Sequence, residues 1–199
     1  LPAANLNTYS SALEAEKRDL PSTSAYEPGS VFKVFSVASF IETGAVKQSD
    51  LYLCDGKHEI RSTNGEKVVI TCLDHHGWIT AREALQYSCN DALAQMSEKI
   101  DTNTFLSMIK AFGFTTKTGV ELPYENPGSV RNPDDRLWSA RSKPTISIGQ
   151  EISVSALQMV QAGTALANNG IPLKLSFISQ IASSDGTLTY QHTPVYKEQ

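Results

Sequence analysis

No stretch of the chain approaches the roughly 18–20 consecutive apolar residues that a membrane-spanning helix needs. The opening residues, LPAANLNTYSSALEAEKRDL, also lack the basic-then-apolar layout of a secretory signal. Charge of one sign is scarce as well. Against 17 Lys and Arg stand 21 Asp and Glu, a formal net charge of −4. That weakly acidic balance gives no reason to expect nucleic acid as a partner. Neither an internal repeat nor a low-complexity tract interrupts the sequence. What is present is a 40% hydrophobic share over 199 residues. That is enough for a true core, and the length suits one domain or a domain with a sub-domain.

Cysteine is sparse, and none of it is arranged as a recognisable ligand set. Cys54, Cys72 and Cys89 form no CxxC pair and sit at no metal-ligand spacing with histidine. An odd number leaves at least one thiol free unless it bonds to another chain. Cys54 and Cys72 flank a hairpin-like stretch and could bridge in an oxidising compartment. If Asn64-Gly65 is a two-residue turn, however, Cys72 falls opposite Lys57, and a bridge needs a bend or a longer loop. Two half-buried thiols are the alternative. The pair His75-His76 beside Cys72 suggests a metal, but no fourth ligand stands at useful spacing, so no metal is assigned.

Residues 1–26 are polar and rich in Ser and Ala, with Pro21 and Ser22-Thr23-Ser24 reading as a loop, and a helical pattern runs from Ser30 to Thr43 and stops at Gly44. Two β-leaning runs over 51–72 surround Ser62-Thr63-Asn64-Gly65, a hairpin signal. Thr80-Ala81-Arg82-Glu83 is a capping box opening a short helix toward Tyr87. Further helices fit Asp91–Ile100 and Thr102–Phe112. Residues 117–144 carry four prolines and two glycines and read as a long ordered loop. Ser155 caps a helix through about Asn168, closed by Asn169-Gly170. The stretch from Ile171 to Gln199 reads as strand and turn, with Asp185-Gly186 as the turn. Helix dominates, and a self-standing sheet normally needs three or more strands, so the chain reads as a fragment short of its sheet layer.

Chemistry concentrates at Tyr26-Glu27-Pro28-Gly29-Ser30-Val31-Phe32-Lys33. Pro28 and Gly29 turn the chain sharply into a helix beginning near Ser30. A spacing of three puts Ser30 and Lys33 on one face, and Ser30 sits at the positive end of the helix dipole. Lys33 is the only charge between Pro28 and Ile41, among Val31, Phe32, Val34, Phe35, Val37 and Phe40. Desolvation there disfavours its ammonium form, and a neutral amine beside a hydroxyl is what a serine nucleophile needs. The same Ser-x-x-Lys pattern recurs at Ser107 and Lys110, inside an amphipathic helix, and is read as coincidence. Ser88-Cys89-Asn90 lies between two predicted helices, where a hydroxyl can relay a proton and a carboxamide can bind a peptide-like group. Ser62-Thr63-Asn64 matches that pattern too and reads as turn chemistry.

With these residues in place, the sequence resembles the transpeptidase domain of a penicillin-binding protein, closest to the monofunctional class B group. YEPGSVFK at 26–33 resembles the nucleophile motif and ALQYSCNDALAQ at 84–95 the second motif. FGFTTKTGVELPYENPG at 112–128 resembles the loop after the helical sub-domain, and ISIGQEISVSALQMVQAGTALANNG at 146–170 the return to the sheet. The blocks stand in the family's order. The resemblance implies an α/β fold of the penicillin-binding protein and serine β-lactamase type, present here as a helix-rich fragment with an incomplete central sheet. Residues 26–170 would hold the nucleophile helix and helical sub-domain, and 171–199 the start of the return to the sheet.

By the same resemblance Ser30 matches the acylated nucleophile, Lys33 its general base, Ser88 the proton shuttle and Asn90 the substrate-amide binder. Cys89 stands where the handed-down pattern of related enzymes carries an acidic residue, and no role is attached to its thiol. Lys117-Thr118-Gly119 matches the third motif in letters only. Its block resembles a surface loop, so the true counterpart is expected after Gln199, and the first core strands before Leu1. The implied activity is peptidoglycan D,D-transpeptidation in the bacterial cell envelope, with an anchor upstream. The implied partners are stem peptides, β-lactams and the missing C-terminal part of the same domain, with no cofactor and no nucleic acid. The 199-residue chain alone is expected to label weakly or not at all with a penicillin. Two alternatives stay open: a serine β-lactamase or β-lactam sensor of the same superfamily, and a non-catalytic scaffold or binding fragment.

Overall fold

The computed structural model describes residues 4–62, 65 and 67–197. In chain order, a 3₁₀ turn at Leu6–Ser11 precedes α1 (Leu20–Thr23) and β1 (Ala25–Tyr26). A second 3₁₀ turn, Gly29–Phe32, leads directly into α2 (Lys33–Glu42). Then come β2 (Leu51–Cys54), β3 (Lys57–Arg61), β4 (Lys67–Thr71) and β5 (Gly77–Thr80). Helices α3 (Ala81–Gln86), α4 (Asn90–Glu98) and α5 (Thr102–Ala111) follow. After β6 (Ser129–Val130) the chain forms α6 (Ser142–Ser147), β7 (Ile152–Ser155) and α7 (Ala156–Ala167), and ends with β8 (Gln180–Ala182) and β9 (Leu188–Gln191). These elements divide into two compact units. One comprises residues 27–111 and 129–153, the other residues 1–26, 112–128 and 154–199.

The first unit is built on helices that bury one stripe each. On α5 the inward residues Phe105, Leu106 and Ile109 recur at the spacing of a single helical face. Phe105 meets Phe40 of α2 with ring centroids 5.2 Å apart, in the tilted geometry that aromatic quadrupoles favour. Leu93 and Met96 of α4 and Ile146 of α6 are fully buried, and these two helices pack together. Two small antiparallel pairs lie in the same unit. β2 pairs with β5, Leu51 opposite Thr80 and Cys54 opposite Gly77, and so encloses the β3–β4 hairpin. The predicted pair of runs was thus right in kind, but β2 finds its partner in a strand the sequence reading had not assigned.

The hairpin's register also differs from expectation. Lys57 stands opposite Thr71, and Cys72 donates its backbone N–H to Gly56 O, where the two-residue turn had placed Cys72 opposite Lys57. The apolar pattern explains the one-residue shift. In the observed register Ile60 pairs with Val68 and His58 with Ile70, so the buried residues Ile60, Val68 and Ile70 share one face. The other register would set Ile60 against Val69 and turn Val68 and Ile70 outward. Thr63 and Asn64, the expected turn residues and part of the second Ser-x-Asn string, lie outside the described residues.

The second unit is organised by α7. A reciprocal capping box starts it: Ser155 Oγ accepts from Gln158 N at 3.2 Å and Gln158 Oε1 accepts from Ser155 N at 2.9 Å. The Gln158 amide then donates to Thr116 O and Pro127 O, both at 2.7 Å. Gln161 donates to Thr118 O and Leu173 O. These bonds tie down the proline-rich loop, which is ordered as expected although it has little regular structure. β1 pairs with Val154 and Ser155 in this unit, and β8 with β9 around Gly186. Short helical turns form at Leu6–Ser11 and Leu20–Thr23, the second where a loop was expected at 21–24. Pro21 sits in the first turn of α1, where a missing N–H costs nothing.

Candidate active site

The turn carrying Ser30 is fixed from both sides by backbone. Gly29 adopts φ +57° and donates its N–H to Gly149 O at 2.8 Å. Gly149, with φ +83°, packs so closely that an added Cβ would lie 2.0 Å from Gly29 O. Only glycine fits there, which gives the Ile148-Gly149-Gln150 string a physical meaning that its sequence alone did not supply. Glu27 adds a further tie, since its carboxylate accepts from Glu151 N at 2.9 Å, and Glu151 pairs with Arg131 at 3.0 Å.

Ser30 emerges from this turn exposed to solvent, while Lys33, the first residue of α2, is only 1% exposed. The lysine is met by the turn between α3 and α4. Thr80 and Glu83 lock the start of α3 through a capping box, as the sequence predicted. At its other end the chain reverses through Ser88, a non-glycine residue at φ +54°. This conformation costs an L-residue about 1–2 kcal/mol, and it points both oxygens of Ser88 at the lysine. Lys33 Nζ donates to Ser88 O at 2.6 Å, to Ser88 Oγ at 2.9 Å and to Asn90 Oδ1 at 2.6 Å. Asn90 is oriented for this by its own amide, which donates to Thr71 O at 3.1 Å.

Burial pushes the Lys33 amine down from its ordinary value to about 8, against an opposing pull from the Cys72 and Cys89 sulfurs. The desolvated lysine expected from the apolar flanks is therefore present. Ser30, Lys33, Ser88 and Asn90 all lie in one unit, and three of them are joined directly. The lysine's bonds go to Ser88 and Asn90, and among the described residues no hydrogen bond joins Ser30 to Lys33.

These features raise the question of kinship. Residues 2–199 match the family described as the penicillin binding protein transpeptidase domain. The chain belongs to this family. Among its relatives, the stage V sporulation protein D of Bacillus subtilis is 33% identical over 154 residues, covering 77% of this chain and 23% of that protein. Penicillin-binding protein PbpB of Mycolicibacterium smegmatis is 29% identical, covering 86% of this chain and 26% of the relative. The transpeptidase chain thus spans about a quarter of the length of these curated relatives. In structure it is similar to penicillin-binding protein 3 of Mycobacterium tuberculosis, solved with aztreonam, at a TM-score of 0.74 and 27% identity, over 89% of this chain and 38% of that one.

The look-alike motifs lie in other surroundings. Ser107 and Lys110 are both exposed on α5. Lys117-Thr118-Gly119 is loop, with Thr118 buried and its hydroxyl donating to the Glu125 carboxylate. Two loop carboxylates accept hydrogen bonds from neighbouring segments. Glu125 is 8% exposed and also accepts from Gly119 N at 3.0 Å. Glu121 accepts from Ser176 Oγ and Phe177 N. Both act as surrogate backbone partners for segments that form no ladder. Trp78, 68% exposed, is a surface residue rather than a core one.

The metal suggested by His75-His76 beside Cys72 was set aside for want of a fourth ligand, and the fold supplies two. Cys54, Cys72, His76 and Cys89 converge until one ligand atom from each lies within 4.8 Å of the others. All three cysteines are free. The only hint in the sequence was the Cys72-x-x-x-His76 spacing. Cys54 and Cys89 come from elements that only the fold brings near it.

Proposed function

We propose that this domain is the acylating part of a peptidoglycan D,D-transpeptidase of the bacterial cell envelope. Ser30 Oγ attacks the carbonyl carbon of the penultimate D-alanine of a stem peptide, and its proton passes to the neutral Lys33 amine. The C–N bond to the terminal D-alanine breaks, and the leaving nitrogen receives a proton through Lys33 and Ser88. The Ser30 ester then transfers its acyl group to an amine of a neighbouring strand, which restores the hydroxyl. Asn90 holds the peptide amide of the substrate, and β-lactams acylate Ser30 as mimics of that peptide.

One observation carries this reading: a buried, partly neutral amine bonded to both Ser88 and Asn90 at the base of a turn that presents an exposed serine. A serine near a helix start is commonplace. A desolvated lysine held at 2.6–2.9 Å by the second motif is not needed for stability, because removing a cation from water is costly. Residues 26–170 would contribute the nucleophile and its partners, and 171–199 would lead on toward the strand bearing the third motif.

Incubation with a fluorescent penicillin followed by intact-mass analysis and peptide mapping tests the assignment. One adduct is expected on Ser30, absent in Ser30→Ala and retained in Ser107→Ala. An adduct on another residue, or one that survives Ser30→Ala, would remove the nucleophile assignment. Slow loss of the adduct fits a transpeptidase, and rapid hydrolysis would transfer the reading to a β-lactamase.

A further inference from the structure

We propose that Cys54, Cys72, His76 and Cys89 form a structural zinc site, a closed Cys₃His set holding one divalent ion beside the Ser88–Asn90 turn. Tetrahedral zinc has bonds of about 2.3 Å to sulfur and about 2.0–2.1 Å to imidazole nitrogen, which sets the ligand atoms about 3.8 Å apart for S···S and about 3.6 Å for S···N. Three of the six separations fall near these edges, and all lie within 4.8 Å. Cys72 Sγ lies 3.7 Å from Cys89 Sγ, Cys54 Sγ lies 3.4 Å from His76 Nδ1, and Cys72 Sγ lies 3.9 Å from the same nitrogen. A disulfide needs sulfurs at about 2.05 Å. It would also use only two of the three thiols and leave the imidazole without a purpose.

The surroundings suit a metal site. Cys54 is 1% exposed and Cys89 is fully buried. The ligands arrive from four places in the unit: the last residue of β2, the residue after β4, the residue before β5 and the N-cap of α4. Ala92 N donates to Cys89 Sγ at 3.3 Å. Such donors stabilise thiolate ligands. The His76 ring lies parallel to Tyr87, centroids 5.4 Å apart and planes 13° apart, which holds the imidazole in place. Binding would displace the thiol protons to solvent and give three thiolates against a charge of +2, a net −1. With four protein ligands the ion has no open position for water or substrate, so its work is positional. Cys89 separates Ser88 from Asn90, and Thr71, the acceptor for the Asn90 amide, adjoins Cys72. The ion would therefore clamp the backbone on both sides of the two groups that hold Lys33.

The test is metal content, which requires no activity. Protein prepared without chelators and supplied with zinc should carry one zinc per chain after gel filtration. Cobalt(II) in its place should give intense visible bands of a tetrahedral ion together with thiolate-to-cobalt charge transfer. Cys54→Ser and His76→Ala should lose the ion, whereas His75→Ala should keep it. The cobalt spectrum of the unchanged protein remains decisive if a cysteine variant fails to fold. Substoichiometric zinc, a cobalt spectrum without sulfur charge transfer, or a Cys72–Cys89 disulfide in place of metal would each overturn the proposal. So would retention of the ion by His76→Ala.

Discussion

Replacing Lys33 by methionine is expected to slow penicillin acylation of Ser30 by about 10²–10⁴-fold, the range typical of losing a positioned general base. The fold should survive the change. Methionine fills much the same volume, and burying it avoids the desolvation of an ammonium group. The partners it releases can turn to water, because Ser88 is exposed and Asn90 only half-buried. A second readout distinguishes a base from a packing residue. With the amine titrating at about 8, the reactive fraction is its neutral form. The acylation rate should therefore rise about tenfold per pH unit below that value and level off above it. The groups that set this midpoint are the apolar wall around Lys33 and the sulfurs of Cys72 and Cys89. In Lys33→Met the slope should vanish along with the rate. Full-speed acylation in the variant, or an unchanged pH profile, would show that Lys33 does not take the Ser30 proton.

The other large effect concerns Gly149, a residue with no functional group at all. An alanine there places Cβ 2.0 Å from Gly29 O and within 2.7 Å of Gly29 C and N, on a backbone at φ +83°. The left-handed conformation costs about 1–2 kcal/mol for an L-residue, and forcing the two turns apart costs about 1–3 kcal/mol. A destabilisation of about 3 kcal/mol should lower the thermal midpoint by about 6–12 °C for a domain of this size. Acylation should fall with it, because the displaced neighbour is the entry to Ser30. Gly44→Ala is the matched control: φ there is +72°, but an added Cβ meets nothing within 4 Å. It should cost about 1–2 kcal/mol and leave labelling intact. Equal losses in both variants would mean that the Gly29 contact contributes nothing.

What could be read from the sequence was what depends on local chemistry. The turn at Pro28-Gly29, the buried Lys33, the helix caps at Thr80 and Ser155, and the apolar stripe of α5 each arise from residues a few positions apart. The candidate residues Ser30, Lys33, Ser88 and Asn90 could be singled out because each pair carries its spacing in the chain. What escaped the reading needs partners distant in sequence. β5 becomes a strand because Leu51–Cys54 is waiting for it, and the hairpin slips by one residue because Ile60 must face Val68 and Ile70. Glu125 is buried because Thr118 and Gly119 need an acceptor. The cysteine cluster escaped for the same reason: its members are separated by up to 35 positions (54 to 89) and meet only after four elements have been placed.

The contrast between an exposed Ser30 and a Lys33 that is 1% exposed also decides which small molecules can tell the two apart. An anhydride or active ester offered to the native protein will decorate the solvent-facing amines and pass over the one sheltered beneath the turn. An electrophile that enters where the serine opens to water meets the hydroxyl first. Selectivity for the serine over the lysine is thus a matter of access as much as of reactivity. An inhibitor built to cross-link both groups would need a second warhead slim enough to follow the first inward.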